Sequence, residues 1–216
     1  MAIELSEEQV RRLAMFFATQ QRNRHVKFDI MEYPLEIKSY YDFYKSNDNS
    51  LIIKDDIFNV NLAVEKFFVE STKYKWRNYG SKSIKTLDNI LNLCKKHDKH
   101  FEVISAIINY KDRVHIGVRE SLNDWIINNI DIDEKWIELY FKKFWTIEEK
   151  QFILLHLINK DKKEIIERFW KSRAVKIKRE LIKIVDVRRL PFLLDEKDAV
   201  IKSIIEKRMN EESSKN

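Results

Sequence analysis

Glycine and proline are scarce in this chain, which has two of each among its 216 residues. Average usage at this length would give about 15 glycines and about 11 prolines. Glycine supplies backbone with positive φ and proline fixes turns, so sheet proteins and phosphate-binding loops use many of both. The composition therefore predicts helices joined by short polar turns. It also excludes a glycine-rich nucleotide loop, because Gly80 and Gly117 lie far apart.

The overall composition fits amphipathic helices around a packed core. Hydrophobic residues make up 44% of the chain and charged residues 35%, against a usual charged fraction of about 25%. Cys94 is the only cysteine, so the chain forms no internal disulfide, as suits a reducing compartment. The polar segment from Met1 to Gln9 is unlike a signal peptide, and no apolar run approaches the roughly 20 residues that span a bilayer. We therefore expect a cytoplasmic protein without a membrane partner.

Helical and extended patterns both occur near the N-terminus. The sequence Ser6-Glu7-Glu8-Gln9 has the pattern of a capping box and predicts a first helix that runs to about Gln20. A less regular region follows, and Pro34 breaks it. Val26–Ile30 and Leu51–Ile53 are candidates for short strands, which leaves room for one β-hairpin.

Beyond the N-terminal region the helical signal is continuous. The first predicted helix of this region covers residues 57–75. A turn at 78–81 follows, and then a second helix that Ser83 or Thr86 can cap. The remaining predicted helices cover residues 101–110, 116–128, 136–145, 148–158, 165–170 and 174–185. The last six form three antiparallel pairs, in which Leu122, Ile153 and Leu181 recur about 30 residues apart, as in helical solenoids. Pro191 interrupts the chain before a terminal helix predicted over residues 198–209.

These patterns predict an all-α fold of stacked antiparallel helix hairpins with an N-terminal helical subdomain. The predicted domains are residues 1–56 for the N-terminal subdomain, 57–209 for the helical-repeat domain and 210–216 for a polar tail. Each hairpin buries one face against its neighbours, so the stack shares one long core.

Part of the repeat region resembles HEAT repeats. Asp112-Arg113, followed by Val118-Arg119-Glu120-Ser121-Leu122, is similar to the Asp near the inter-helix turn and the Val-Arg pair that opens the second helix in that family. Ile177–Leu181 repeats the pattern, and the resemblance covers residues 85–190. The segment Val118–Trp145 is also similar to the HEAT-like DNA alkylation-repair proteins. Catalytic members of that family use an Asp framed by aromatic residues and Arg, and no segment here matches that motif, so their activity is not carried over.

Positive charge is concentrated between Lys160 and Arg189. This segment contains twelve Lys or Arg and five acidic residues, whereas the whole chain has a net charge of +6, so the remainder is close to neutral. On an ideal helix Lys176, Arg179 and Lys183 share one side, opposite the apolar residues. Such a stripe can follow a phosphate backbone, where each contact releases a counterion. The predicted nucleic-acid-binding residues are Lys171, Arg173, Lys176, Arg179, Lys183, Arg188 and Arg189, with Arg22 and Arg24 from a second basic cluster.

We therefore predict a non-catalytic protein that binds DNA or RNA through phosphate contacts, with no cofactor and no metal. Cys94, His97 and His100 have ligand-like spacing, but the third residue is rotated away from the first on a helix and three lysines lie among them. Two alternatives stay open. One is a protein-interaction scaffold whose acidic partner binds the same stripe. The other is a DNA glycosylase, for which Asp124-Trp125 is the candidate carboxylate and aromatic pair.

Overall fold

The computed structural model shows two compact units, Met1–Trp125 and Ile126–Asn216. The residues it describes are 4–20, 29–74, 80–110, 114–133, 135–136, 138–139, 156, 175–185, 187–193 and 198–214. Most of these residues are helical, and a small antiparallel hairpin accompanies the helices. The predicted all-α class with one short β-hairpin is therefore confirmed. The domain boundaries predicted at residues 56 and 209 stay predictions.

The described residues form eight α-helices and one pair of strands. The first unit contains α1 (Glu7–Gln20), α2 (Leu35–Lys45), strands β1 (Ile53–Lys54) and β2 (Ile57–Phe58), α3 (Val60–Tyr74), α4 (Gly80–Lys96) and α5 (His100–Asn109). The helix α6 (Ile116–Asn129) begins in the first unit and ends after its last residue, Trp125. In the second unit lie α7 (Val175–Ile184), a 3₁₀-helix (Val187–Leu193) and α8 (Ala199–Ser213). The helices predicted at 101–110, 116–128 and 174–185 are confirmed to within one residue. Those predicted at 136–145, 148–158 and 165–170 fall mostly outside the described residues.

The capping box predicted at the start of α1 is present. The Ser6 backbone N–H donates to Gln9 Oε1 (2.8 Å), and the Gln9 backbone N–H donates to Ser6 Oγ (3.3 Å). These two bonds satisfy N–H groups that the first turn of a helix leaves without a backbone acceptor. The predicted extent of the first helix, to Gln20, is confirmed.

The helix α2 corrects the prediction of an irregular region around Pro34. The Pro34 carbonyl accepts from the Lys38 backbone N–H (3.2 Å), so the proline begins this helix rather than breaking the region. Proline suits a helix start because its φ is already fixed and it has no N–H to satisfy. Ile37 and Tyr44 on α2 are buried, and α2 packs against α1.

The β-hairpin shares only Ile53 with the predicted strands. Ile53 pairs with Phe58, and Lys54 pairs with Ile57. Asp55 and Asp56 form the turn with φ of 52° and 60°, and left-handed backbone at both turn positions matches the twist of paired strands. The predicted strands are wrong at Ile30 and at Leu51–Ile52, which lie in 3₁₀ turns, and Val26–Phe28 are outside the described residues.

Several predicted helix ends are corrected. The helix predicted from residue 57 begins at Val60 because the two preceding apolar residues belong to β2, and Asn59 Oδ1 accepts from the Leu62 backbone N–H (3.0 Å). The helix α4 begins at Gly80 rather than at a later cap. The 3₁₀-helix before α8 continues through Pro191, which was predicted to interrupt the chain.

The helix α8 begins as predicted and ends later. Asp198 caps its start by accepting from the backbone N–H groups of Val200 (2.9 Å) and Ile201 (3.1 Å). The helix continues to Ser213, four residues beyond the end predicted at residue 209. The hydroxyls of Ser213 and Ser214 donate to carbonyls one turn earlier (2.9 and 2.7 Å), which satisfies oxygen atoms near the helix end.

The end of α4 places an aspartate where glycine is the usual residue. Asp98 has φ of 52°. The Lys99 backbone N–H donates to the Cys94 carbonyl (2.8 Å) and the Asp98 backbone N–H donates to the Lys95 carbonyl (3.0 Å), the two bonds of a Schellman motif. Gly80 and Gly117 both lie in helices, and neither has positive φ.

The first unit is organised around α3, which packs against α1, α2, α4 and α5. Lys66 of α3 is fully buried, and its ammonium donates to the carbonyls of Phe43 (2.9 Å) and Asp48. The same Nζ lies 4.2 Å from the centre of the Phe43 ring. A buried cation requires such partners because leaving it without them would cost several kcal/mol, of the order of 3–5. Lys66 therefore holds the end of α2 and the loop after it against α3.

A second polar cluster joins α1, α2 and α3. The Arg11 guanidinium donates from Nη2 to Glu65 Oε1 (2.5 Å) and from Nε to Glu65 Oε2 (3.4 Å), and the Tyr44 hydroxyl donates to the same Oε2. Burial and the bond to Glu65 raise the pKa of Tyr44. Tyr40, one turn earlier on α2, donates its hydroxyl to Glu7 Oε1 (2.8 Å). Side-chain bonds thus connect α1 and α2, which precede the domain boundary predicted at residue 56, to α3, which follows it.

Alkaline pH should reveal the Tyr40 contact. Burial and the hydrogen bond to Glu7 raise the pKa of Tyr40 to about 12, against about 10 in an unfolded chain. The folded state therefore favours the protonated phenol. The resulting stabilisation is complete below about pH 10 and disappears as the pH rises towards about 12. Subtracting the tyrosinate absorbance titration of Tyr40→Phe from that of the wild type isolates this residue. A difference curve centred near the unfolded value would contradict the assignment.

The hairpin turn should accept residues that prefer left-handed backbone. Replacing Asp55 by Asn together with Asp56 by Gly should raise the free energy of unfolding by about 0.5–1 kcal/mol, because Asn-Gly is the favoured pair for this turn. Urea unfolding followed by circular dichroism measures the change. The control is the double alanine variant at the same two positions, which should be less stable than the wild type. Equal stability of both variants would exclude the described turn.

Candidate nucleic-acid interface

The helix α7 separates apolar and basic side chains onto different faces. Lys178, Leu181 and Ile182 are buried, and so is Val185 directly after the helix. Arg179 and Lys183 lie one turn apart and are exposed. Buried positions at i, i+3, i+4 and i+7 define the face that packs into the second unit. The two cations therefore lie on the outer side of an element whose inner side is anchored.

The predicted binding residues can be located in part. Arg179, Lys183 and Arg188 are exposed, the last of these on the 3₁₀-helix that follows α7. Lys176 is on α7 and Arg189 is on the 3₁₀-helix, but their side chains are outside what the structure describes. The other predicted residues, which lie outside the described residues altogether, are Lys171, Arg173, Arg22 and Arg24.

One lysine of the basic segment does not belong to the exposed face. Lys178 is 4% exposed. The apolar residues Leu181, Ile182 and Val185 follow Lys178 at i+3, i+4 and i+7. The helical period alone could therefore have shown that Lys178 lies on the buried side. The local excess of positive charge is therefore divided between the core of the second unit and its surface.

An arginine that the sequence reasoning missed lies at the end of α7. Arg208 of α8 donates from Nη1 to the Ile182 carbonyl, in the last turn of α7. No local pattern could have found this contact, since the two residues are separated by 26 positions and lie on different helices. Within the described residues neither Arg179 nor Arg208 pairs with a carboxylate. By contrast, Lys207 next to Arg208 pairs with Glu211 (3.8 Å).

The residues with metal-ligand spacing do not converge. Cys94 is fully buried in the core, His97 packs on the Phe58 ring (5.6 Å between ring centres), and His100 Nδ1 lies 3.8 Å from an Asp98 oxygen. Among the residues that the structure describes, no group of three or more His, Cys, Asp or Glu side chains is arranged to hold a metal ion.

The candidate glycosylase pair points in two directions. Asp124 is exposed, whereas Trp125 is buried and donates from Nε1 to Asn92 Oδ1 (3.2 Å). A carboxylate that works on a base needs aromatic walls beside it. The structure places the Asp124 carboxylate at the surface and the Trp125 ring in the core, and the glycosylase alternative stays a prediction.

Two positions of the predicted repeat can be checked. Leu122 on α6 and Leu181 on α7 are both buried, and Val118 is fully buried at the start of α6. Ile153 and the Asp112-Arg113 pair lie outside the described residues. Comparison of the chain with protein-family models, curated protein sequences and solved structures finds no match. The HEAT resemblance therefore stays a prediction.

None of the described helices combines the length and the apolar character that crossing a membrane demands.

The only thiol of the chain should be unreactive while the protein is folded. Burial raises the pKa of Cys94 to about 12, so almost none of it is thiolate near neutral pH, and the thiolate is the form that reacts. We expect iodoacetamide to modify the chain after addition of urea and not before, as measured by the mass of the intact protein. Complete modification in native buffer, at the rate seen in urea, would show that Cys94 is not in the core.

Proposed function

We propose that this protein binds DNA or RNA without catalysis, through phosphate contacts made by the outer face of α7 and the 3₁₀-helix after it. The observation that carries this proposal is the exposure of Arg179, Lys183 and Arg188 within the segment that contains the whole positive excess of the chain. Clustered cations on one face are the electrostatic footprint of proteins that bind nucleic acids.

The arrangement of these cations supports contact with a backbone. Arg179 and Lys183 are four residues apart, which places them about 6 Å apart along the helix axis. The opposite face of α7 is buried, so the helix can present both charges without reorganising. Each phosphate that such a cation neutralises releases a condensed counterion, and this release drives binding at low salt.

The same surface favours contact with phosphates over reading of bases. Stacking on bases requires exposed aromatic rings. In the described part of the second unit Trp136 is buried, and no aromatic ring is exposed beside the cations. Phosphate contacts fix register and orientation but carry no direct sequence information. We therefore expect little discrimination between sequences of equal length and charge.

Charge reversal on α7 tests the proposal. Changing Arg179, Lys183 and Arg188 together to Glu should sharply weaken binding to a fluorescein-labelled DNA duplex of mixed sequence, with residual binding measurable at the lowest salt. If all three cations contact phosphates, the plot of log affinity against log salt should lose a slope of about 2.7, or about 0.9 for each contact. Fluorescence anisotropy between about 50 and 200 mM salt measures both quantities.

The matched control changes three exposed lysines of the first unit, Lys54, Lys95 and Lys96, to Glu. It alters the net charge of the protein by the same amount and should retain the affinity and the salt slope. Equal losses in both variants would show that only net charge matters. Wild-type binding by the α7 variant would refute the proposed face. Binding of polyglutamate but not of nucleic acid would favour an acidic protein partner instead.

A further inference from the structure

The C-terminal end of α7 raises an electrostatic difficulty for a phosphate. The last carbonyls of a helix have no partner within it, and together they act as a partial negative charge of about half an electron. Lys183 lies in this last turn, and Arg188 follows it closely in sequence. An anion that approached Lys183 would therefore also meet the negative end of α7.

The Arg208 side chain places a positive charge at this negative end of α7. Its guanidinium comes from α8 and donates from Nη1 to the Ile182 carbonyl, one of those unpaired oxygen atoms. A cation at this position cancels part of the negative charge of the helix end. Because Lys183 follows Ile182 directly in the chain, the guanidinium lies at the same end of α7 as the Lys183 side chain.

Arg208 has more hydrogen-bond donors than its contacts with the described residues use. A guanidinium has five N–H donors in a planar fork that matches two phosphate oxygens. The carbonyl of Ile182 takes one donor, and within the described residues no carboxylate engages the others. The side chain is partly exposed. Lys207 beside it is 77% exposed but pairs with the Glu211 carboxylate, unlike Arg208.

We propose that Arg208 is part of the phosphate-binding face and that it makes the end of α7 acceptable to an anion. This inference rests on the proposed function. Arg208 binds a phosphate of its own, next to the one that Lys183 contacts, with one arginine N–H bonded to the Ile182 carbonyl and others directed to the phosphate oxygens. The binding face is therefore composed of two helices, α7 and α8, that are separated in sequence.

Replacing Arg208 by Gln tests the inference, with Lys207→Gln as the matched control, because both remove one positive charge from adjacent positions of α8. Using the same labelled duplex, Arg208→Gln should reduce the magnitude of the salt slope by about 0.9, equivalent to one phosphate contact. Lys207→Gln should leave the slope unchanged. Arg208→Lys, which keeps the charge but not the fork, should recover the slope with weaker affinity than the wild type. Thermal unfolding of each variant shows whether α8 remains folded.

The outcomes separate this inference from the proposed function. A lower melting temperature of Arg208→Gln with an unchanged slope would mean that Arg208 only caps α7, and the inference would fall while the α7 face stood. Equal slope changes in the Arg208 and Lys207 variants would overturn it as well. If wild-type protein showed no salt-dependent binding, both proposals would fail together. A slope reduced only in the Arg208 variant, and recovered by Lys, supports the composite face.

Discussion

Ending helices without glycine is the constraint on which this fold depends. Every helix leaves several carbonyls without partners at its end, and roughly a third to a half of helices satisfy some of them with a left-handed residue that is usually glycine. Here the two glycines lie inside helices; Asp98 adopts the left-handed backbone after α4, and Asp55 and Asp56 adopt it in the hairpin turn. Aspartate tolerates this conformation better than most residues because its short side chain can bond locally. Arg208 and the serines at the end of α8 satisfy other carbonyls from their side chains.

Most of the helical part of the fold could be predicted because it rests on short-range rules. The capping box of α1 and the limits of α5, α6 and α7 follow from residues that are close in sequence. The helix α2 was missed because proline both breaks helices and begins them, and only packing against α1 decides between the two. The hairpin was misplaced because two-residue strands carry almost no periodic signal.

The candidate site also has features that short-range rules predict and one contact that they do not. The exposure of Arg179 and Lys183 follows from the period of one helix, and so does the burial of Lys178, which was overlooked. The role of Arg208 depends on a contact between helices distant in sequence, for which composition and spacing contain no information. Charge counting along a segment therefore includes the exposed Arg179 and Lys183 together with the buried Lys178, since it treats buried and exposed cations alike.

The burial of Lys66 has a consequence for how the first unit tolerates sequence change. Its ammonium is bound by the main-chain oxygens of Phe43, near the end of α2, and of Asp48, in the loop after it, and every amino acid supplies such an oxygen. These bonds therefore depend on the path of the backbone there and not on which residues form it. Over evolutionary time the loop is free to drift in composition as long as its path persists. Position 66 has no such freedom, because no shorter or neutral side chain would reach the same two carbonyls with a positive charge.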